Sequence, residues 1–263
     1  MRFTKMHGLG NDYIYVYGAA PDNVVEVCRK ASARRFGIGS DGMIFIEPST
    51  VADFIMRIFN ADGSEAKMCG NGIRCVGKYV YDKGYADKTR LRIETLSGIK
   101  TLELQTYNGK VKTVAVNMGV GIAQDDRTLD GDGEKVVCMP VDVGNPHAVI
   151  FVDDAENAPV ETLGPKLERH AAFPDGVNVE FVEVLNERAL RMRVWERGSG
   201  MTAACGTGAC ASAIAALRKG FCFYNVPIAV QLDGGTLQIQ ATREGVVTMT
   251  GPAETVFEWE YTP

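Results

Sequence analysis

Along the first half of the chain, short runs rich in Val, Ile, Phe and Tyr alternate with turns rich in Gly, Asp and Asn, at 13–17, 43–47, 53–59, 91–94, 101–104 and 111–117. Aromatic and β-branched runs bounded by such turns read as strands. Two segments break the rhythm and predict helices, one over 24–34 and one from about 71 to 83, where Gly84 offers a stop. The second half repeats the pattern, with strands at 136–142, 148–152, 178–185 and 189–195 and then a helix at 208–219. The Ala, Cys and Ile residues of that helix leave almost no polar face, and a helix apolar all round is a buried one. Strands at 238–241 and 246–250 close the half, so each half predicts a sheet curled around a buried helix. The Asp-Gly-Asp-Gly run at 130–133 reads as a turn and a candidate linker.

The two halves also match residue by residue. Met68-Cys69-Gly70-Asn71-Gly72 returns as Ala204-Cys205-Gly206-Thr207-Gly208, at a spacing of 205 − 69 = 136 residues. The same shift lays Met56-Arg57-Ile58-Phe59 on Met192-Arg193-Val194-Trp195, and Lys83-Gly84-Tyr85 on Lys219-Gly220-Phe221. A second offset of 134 joins Gly10-Asn11 to Gly144-Asn145 and Asp41-Gly42 to Asp175-Gly176. Three blocks in one register point to a duplicated unit. The expected domains are 1–115 with 252–263, and 116–251.

Composition narrows the function. The 263 residues carry 33 acids against 28 bases, a net charge of −5, with no basic stripe. That argues against nucleic acid and for a small polar ligand. No apolar run reaches the length of a membrane span, and residues 1–5 lead into a strand pattern instead of a signal peptide, so a soluble cytoplasmic protein is expected. Seven scattered cysteines do not form a disulfide framework, and neither C-x5-C nor C-x4-C has zinc-knuckle spacing, so no metal is expected.

Cys69 and Cys205 each stand at the start of a buried helix. Unsatisfied N–H groups and the positive helix end favour a thiolate there, which predicts a lowered thiol pKa. The glycines that follow let backbone N–H groups approach a carboxylate closely. Each motif alone is also explained by a buried cysteine at a glycine-eased helix start. The pair leaves a nucleophile, metal ligands, a redox couple or proton-transfer bases. A covalent thiol enzyme needs one activated cysteine, whereas inverting a C–H centre needs a base on one face and an acid on the other. No dinucleotide fingerprint or marked pyridoxal lysine is present, so no cofactor is expected, and the helix N-termini are left to stabilise the carbanion. Asn11, Asn60, Asn145 and Asn178 read as turn residues or ligand contacts. His147 reads either as a strand-start histidine or as a group tuning a thiol.

The blocks His7 to Asp12, Phe59 to Glu65, Met68 to Cys75, Gly144 to His147, Asn178 to Phe181 and Glu196 to Cys210 together resemble the diaminopimelate epimerases, over nearly the whole chain. The resemblance implies a cofactor-independent isomerase of lysine and peptidoglycan precursor biosynthesis that interconverts LL- and meso-2,6-diaminopimelate. It implies an α+β fold of two pseudo-symmetric domains, each a curved antiparallel sheet or barrel around a central helix, with the substrate in the cleft. Catalysis falls to Cys69 as proton acceptor and Cys205 as donor, with His147 and Glu196 tuning the thiols. Substrate binding falls to Asn11, Asn60, Gly70, Asn71 and Asn145, and to Asn178, Glu196, Arg197, Gly206 and Thr207. Family members often dimerise, which makes a homodimer a possible assembly.

Two residues depart from the family pattern. Gly42 stands where some relatives carry a glutamine that reaches the substrate, and Met201 stands where glutamate is frequent. The rival readings are a proline or hydroxyproline racemase of the same architecture, which tends to carry histidine at the position of Asn71, and a non-catalytic carboxylate-binding protein, which has no need of the thiols.

Overall fold

The computed structural model describes residues 1–131, 133 and 135–261 and divides into two units, Met1–Val116 with Gly251–Pro263, and Asn117–Thr250. Asp132 of the expected turn, and residues 262–263 of the first expected domain, lie outside the described residues. The first unit begins with strands β1 (Arg2–Gly8) and β2 (Asn11–Tyr17), helix α1 (Val24–Ser32), and strands β3 (Gly42–Pro48) and β4 (Phe54–Asn60). It continues with β5 (Glu65–Ala66), helix α2 (Gly70–Asp82), β6 (Arg90–Thr95), β7 (Gly98–Tyr107) and β8 (Lys110–Val120).

The second unit holds β9 (Ile122–Ala123), β10 (Arg127–Asp130), β11 (Lys135–Asp142), β12 (Pro146–Phe151), helix α3 (Val160–Glu168) and β13 (Asn178–Asn186). After β14 (Ala189–Glu196) and β15 (Gly200–Met201) come helix α4 (Gly206–Arg218), β16 (Ile228–Leu232), β17 (Gly235–Ala241) and β18 (Val246–Pro252). A last strand, β19 (Glu254–Glu260), pairs with β1 of the first unit. The turn after Asp130, closed by Gly133 N–H donating to Asp130 Oδ1 at 2.7 Å, joins β10 to β11 inside the second unit and so is no linker between units.

The two sheets share one plan. In the first unit β1, β2, β3, β4, β6 and β7 are neighbours in that order, and in the second β11, β12, β13, β14, β16 and β17 are. Pairing is antiparallel in the main, with two parallel joins per unit: β2 with β3 and β4 with β6, then β12 with β13 and β14 with β16. Each parallel join follows a helix, because a chain returning to the same end of a sheet needs a crossover.

Alternation along the strands sorts the helices. In the first unit Ile14, Val16, Met43 and Phe45 pack with Val27, Cys28 and Ala31 of α1 on one face. The intervening Tyr13, Tyr15, Ile44 and Ile46 are buried on the other. Tyr15 reaches α2 there, donating to Gly72 O at 3.3 Å and stacking on Tyr79 at 6.5 Å. In the second unit Ala148, Ile150, Val179 and Phe181 pack with Val160 and Leu167 of α3. The buried helix α4 touches β9, β11–β14, β16 and β17, so that sheet wraps it.

Among the described residues no helix is long and apolar enough to cross a membrane. All seven cysteines are thiols, and most are core residues. Burial pushes the Cys75 thiol up from 9.0 to about 11, against the opposing influence of Tyr15 and Arg74. A raised folded pKa gives stability that is present below the unfolded value and lost as pH climbs through the folded one, because only the unfolded chain ionises in between. For Cys75 the loss is about 3 kcal/mol between pH 9 and 11. Thermal unfolding across that window should show a falling Tm, and a flat profile would contradict the buried thiols.

Candidate active site

In the first unit Cys69 is the N-cap of α2, extended at φ −136° and ψ 116°, and its sulfur accepts from Gly72 N–H at 3.3 Å. Cysteine is an unusual cap, since oxygen-bearing side chains normally satisfy this donor. Cys69 Sγ also donates to Asn11 Oδ1 at 3.3 Å. The amide of Asn11 is oriented from behind, its Nδ2 donating to Asp41 Oδ2 at 2.8 Å. A carboxylate only accepts, so the amide oxygen is left facing the sulfur. Arg34 ties Asp41 to Asp12 at 2.7 and 2.8 Å. Arg74, fully buried, donates from Nη1 to Gly70 O at 3.1 Å and Asn71 Oδ1 at 3.0 Å, which puts a cation under the first turn of α2 and fixes the Asn71 amide. Asn60 bonds within its own turn, to Ser64 Oγ at 3.0 Å.

The second unit repeats the cap with different neighbours. Cys205 caps α4 at φ −112° and ψ 110° and accepts from Gly208 N–H at 3.3 Å. Gly206 opens the helix, and Thr207 Oγ1 lies 3.5 Å from the sulfur. Asn145 Nδ2 donates to Thr207 Oγ1 at 3.4 Å, and Asn145 Oδ1 lies 3.1 Å from His147 Nε2. His147 Nδ1 is 2.6 Å from Glu180 Oε1, and both side chains are fully buried. Glu196 bonds to Thr202 and to Cys205. Asn178 Oδ1 accepts from Arg197 N–H at 2.9 Å, and Arg197 Nη1 donates to Asp175 O at 2.8 Å. Glu168 holds the loop that carries Glu196 and Arg197, accepting from Trp195 Nε1 at 2.7 Å and Gly198 N–H at 2.9 Å.

The structure thus groups Asn11, Cys69, Gly70 and Asn71 in one unit. In the other it groups Asn145, His147, Asn178, Glu196, Arg197, Cys205, Gly206 and Thr207. Tyr13, Asp41, Arg74 and Glu180 join these groups, although the sequence assigns none of them a role in the site. Glu180 had a signal, being a carboxylate inside the buried run Asn178–Val182.

A helix end alone predicts a depressed thiol, and at Cys205 the expectation fails. Burial, then the carboxylates of Glu196 and Glu180, push this thiol well above its ordinary value, outweighing the contributions of Thr207 and Gly208 N–H. Glu196 is itself pushed up by burial, against its bonds to Thr202 and Cys205.

The two departures have local explanations. A Cβ on Gly42 would lie 2.1 Å from Phe59 O and 2.9 Å from Asn60 Cα, so the spacing of β3 and β4 excludes a glutamine here. Met201 takes a hydrogen bond from Arg193 Nη2 at 3.3 Å on its sulfur. The offset of 134 also needs correcting at Gly42: it pairs with Tyr13 as Asn178 pairs with His147, so its counterpart is Asn178 and not Gly176.

Comparison with known proteins identifies relatives of the whole chain. The chain is 51% identical to the diaminopimelate epimerase of Acetivibrio thermocellus, across 99% of this chain and 98% of that one. It is 50% identical to the enzyme of the same name from Phocaeicola vulgatus, with the same coverage. A crystal structure of a probable proline racemase from Agrobacterium radiobacter with bound carbonate superposes with a TM-score of 0.79 at 17% identity, across 99% of this chain and 92% of that one, a likeness of fold. The sequence profile of the diaminopimelate epimerases matches residues 3–122 and 139–256, and with 51% and 50% identity over 99% of its length the chain belongs to the diaminopimelate epimerase family.

Proposed function

We propose that this chain is a cofactor-independent isomerase that interconverts LL- and meso-2,6-diaminopimelate by proton transfer between two thiols, in lysine and peptidoglycan precursor biosynthesis. The observation that carries the reading is the pair of capping cysteines, one at each of two duplicated helix starts, in different surroundings. Cys69 donates to Asn11 Oδ1, and the buried cation of Arg74 is bonded to Gly70 and Asn71 at the start of the helix that Cys69 caps. Cys205 faces the carboxylates of Glu196 and Glu180 in a buried setting that keeps it protonated. On a duplicated scaffold the two thiols thus keep the same helix-capping position with different neighbours, which suits a base on one side and an acid on the other.

In the LL-to-meso direction the Cys69 sulfur removes the α-proton and the Cys205 S–H supplies one to the opposite face; in the reverse direction the roles exchange. The negative charge that develops on the α-carboxylate is met by the N–H groups of Gly70, Asn71, Gly206 and Thr207 at the helix starts. Asn11, Asn145 and Asn178 bind polar substrate groups, and Asn60, Glu196 and Arg197 hold the distal amino-acid end. Both thiols must stay reduced, which suits the cytoplasm.

The deciding experiment is a chiral assay with LL-diaminopimelate and L-proline side by side. Turnover of the first alone is expected. Inversion of proline, or of neither, would refute the assignment.

A further inference from the structure

The duplication supplies an internal control for the second thiol. Gly72 and Gly208 are equivalent, and a Cβ on Gly72 would meet Ile44 Cδ1 at 2.8 Å while one on Gly208 would meet Glu180 Oε1 at 2.8 Å. Ile44 and Glu180 differ by 180 − 44 = 136, the spacing of the cysteines, and both are fully buried. Likewise Tyr13 and His147 hold one position, each paired across a parallel join with Gly42 or Asn178. The same scaffold therefore buries Tyr13 and Ile44 against one helix start and an imidazole and a carboxylate against the other. Tyr13 reaches Asn11 and Cys69 through its hydroxyl, so the difference in kind lies at Ile44 and Glu180. An apolar side chain suffices for packing there, since buried ion pairs are often no more stabilising than hydrophobic replacements. Glu180 Oε2 has no hydrogen-bond partner among the described residues, an arrangement that packing alone would not favour.

We propose that Glu180 is a positioning residue: by holding Nδ1 of His147 it ties the proton count of that imidazole, through the amide of Asn145 and the hydroxyl of Thr207, to the protonation of Cys205. The inference rests on the reading of Cys205 as a proton-transfer group. Each link has a direction. With a proton on Nε2, the ring donates to Asn145 Oδ1 at 3.1 Å, and the amide donates from Nδ2 to Thr207 Oγ1 at 3.4 Å. The Thr207 hydroxyl is then left to donate to Cys205 Sγ at 3.5 Å, which favours thiolate.

With Nε2 bare, the ring needs a donor. Asn145 must present Nδ2 to it, its Oδ1 then accepts from Thr207, and the Thr207 oxygen accepts from the Cys205 S–H. The chain of hydrogen bonds reverses, and thiol is favoured. Charge acts in the same sense, because an imidazolium offsets the carboxylate that otherwise opposes a thiolate. The charged groups facing His147 are Glu180 on β13 and Glu196 on β14. Arg127, Asp142 and Asp175 line a cavity with the ring.

The test uses the intact protein without substrate. ¹⁵N-labelled histidine reports the titration of His147, with His7 and His170 as references. Replacing Cys205 with Ala, which ends the chain of hydrogen bonds at Thr207, should move the His147 midpoint. In a Glu180→Gln background the same replacement should move the midpoint less, because a neutral amide no longer favours the doubly protonated ring that drives the chain toward thiolate. A midpoint indifferent to Cys205 in the otherwise native chain would overturn the proposal. The double variant His147→Tyr, Glu180→Ile, which copies Tyr13 and Ile44, covers the case of a misfolded Glu180→Gln. It should keep the native Tm while kcat falls on the order of a hundredfold at similar KM. Native kcat in that variant would equally overturn it. Were the epimerase reading itself wrong, the native chain would lack turnover while the histidine titration still responded to Cys205, so the two failures are distinct.

Discussion

Cys69→Ser and Cys205→Ser are each expected to lose epimerisation by about 10²- to 10⁴-fold, the range that a positioned acid or base contributes. A hydroxyl keeps the shape and hydrogen-bonding capacity of the thiol but is a far weaker acid, so proton transfer is removed selectively. The structure adds a control on folding. Both cysteines are helix N-caps that receive the N–H of the residue three positions on, and serine is among the preferred residues at such positions. Each variant should therefore unfold at or above the native Tm and still bind diaminopimelate with an affinity close to native. Calorimetry of binding beside a coupled turnover assay reads both. Near-normal turnover in either variant would end the two-thiol assignment.

The second expectation concerns the origin of the new proton. If one group carried a proton around the carbon, some product would retain the original hydrogen. With separate thiols, the acid on the far side is charged from solvent before the substrate arrives. The buried, carboxylate-flanked Cys205 fits that role, since its surroundings oppose loss of the proton until a base is offered. In deuterium oxide, product formed early should carry essentially complete deuterium at the inverted carbon while remaining LL-substrate stays largely unlabelled. The other stereocentre should stay protonated, because on the proposed assignment Asn60, Glu196 and Arg197 hold it without a thiol. NMR of an early quench decides the matter, and substantial retention of the original hydrogen at the inverted carbon would exclude two separate acids and bases.

The duplication was legible because selection for close approach leaves short marks: the glycines at 72 and 208 are needed where a β3 or β13 side chain meets the helix start. Helices 24–34, 71–83 and 208–219 were found within a few residues of α1, α2 and α4. Helix α3 was missed because Gly164 and Pro165 interrupt its pattern. Gly164 is there for packing, with Trp195 Cβ only 2.5 Å from where its own Cβ would stand. Strand β19 was missed because all its residues are exposed and no alternation marks a buried face.

The candidate site was legible where residues form motifs and illegible where they act through other residues. Asp41 orients Asn11 from another loop, and Glu180 orients His147 from the neighbouring strand. Such partners are tertiary facts. The thiol at Cys205 was misjudged for a related reason, since the local sequence displays the helix end but not the burial and the two carboxylates that oppose it.

The two offsets have a further meaning. Tyr13 and His147 are 134 residues apart, whereas Gly42 and Asn178, their strand partners, are 136 apart. Two residues have thus been gained or lost in the crossover that carries α1 in one unit and α3 in the other, and the pairing of the strands that bear the site has not changed. An insertion there is absorbed by a solvent-side connection, whereas one inside β2, β3, β12 or β13 would turn every following side chain to the wrong face. These crossovers are accordingly where the length of the protein can drift between relatives, and where a peptide tag or reporter domain can be grafted with the chemistry left intact, so long as the segments that carry Arg34, Asp41, Glu168 and Asp175 are kept.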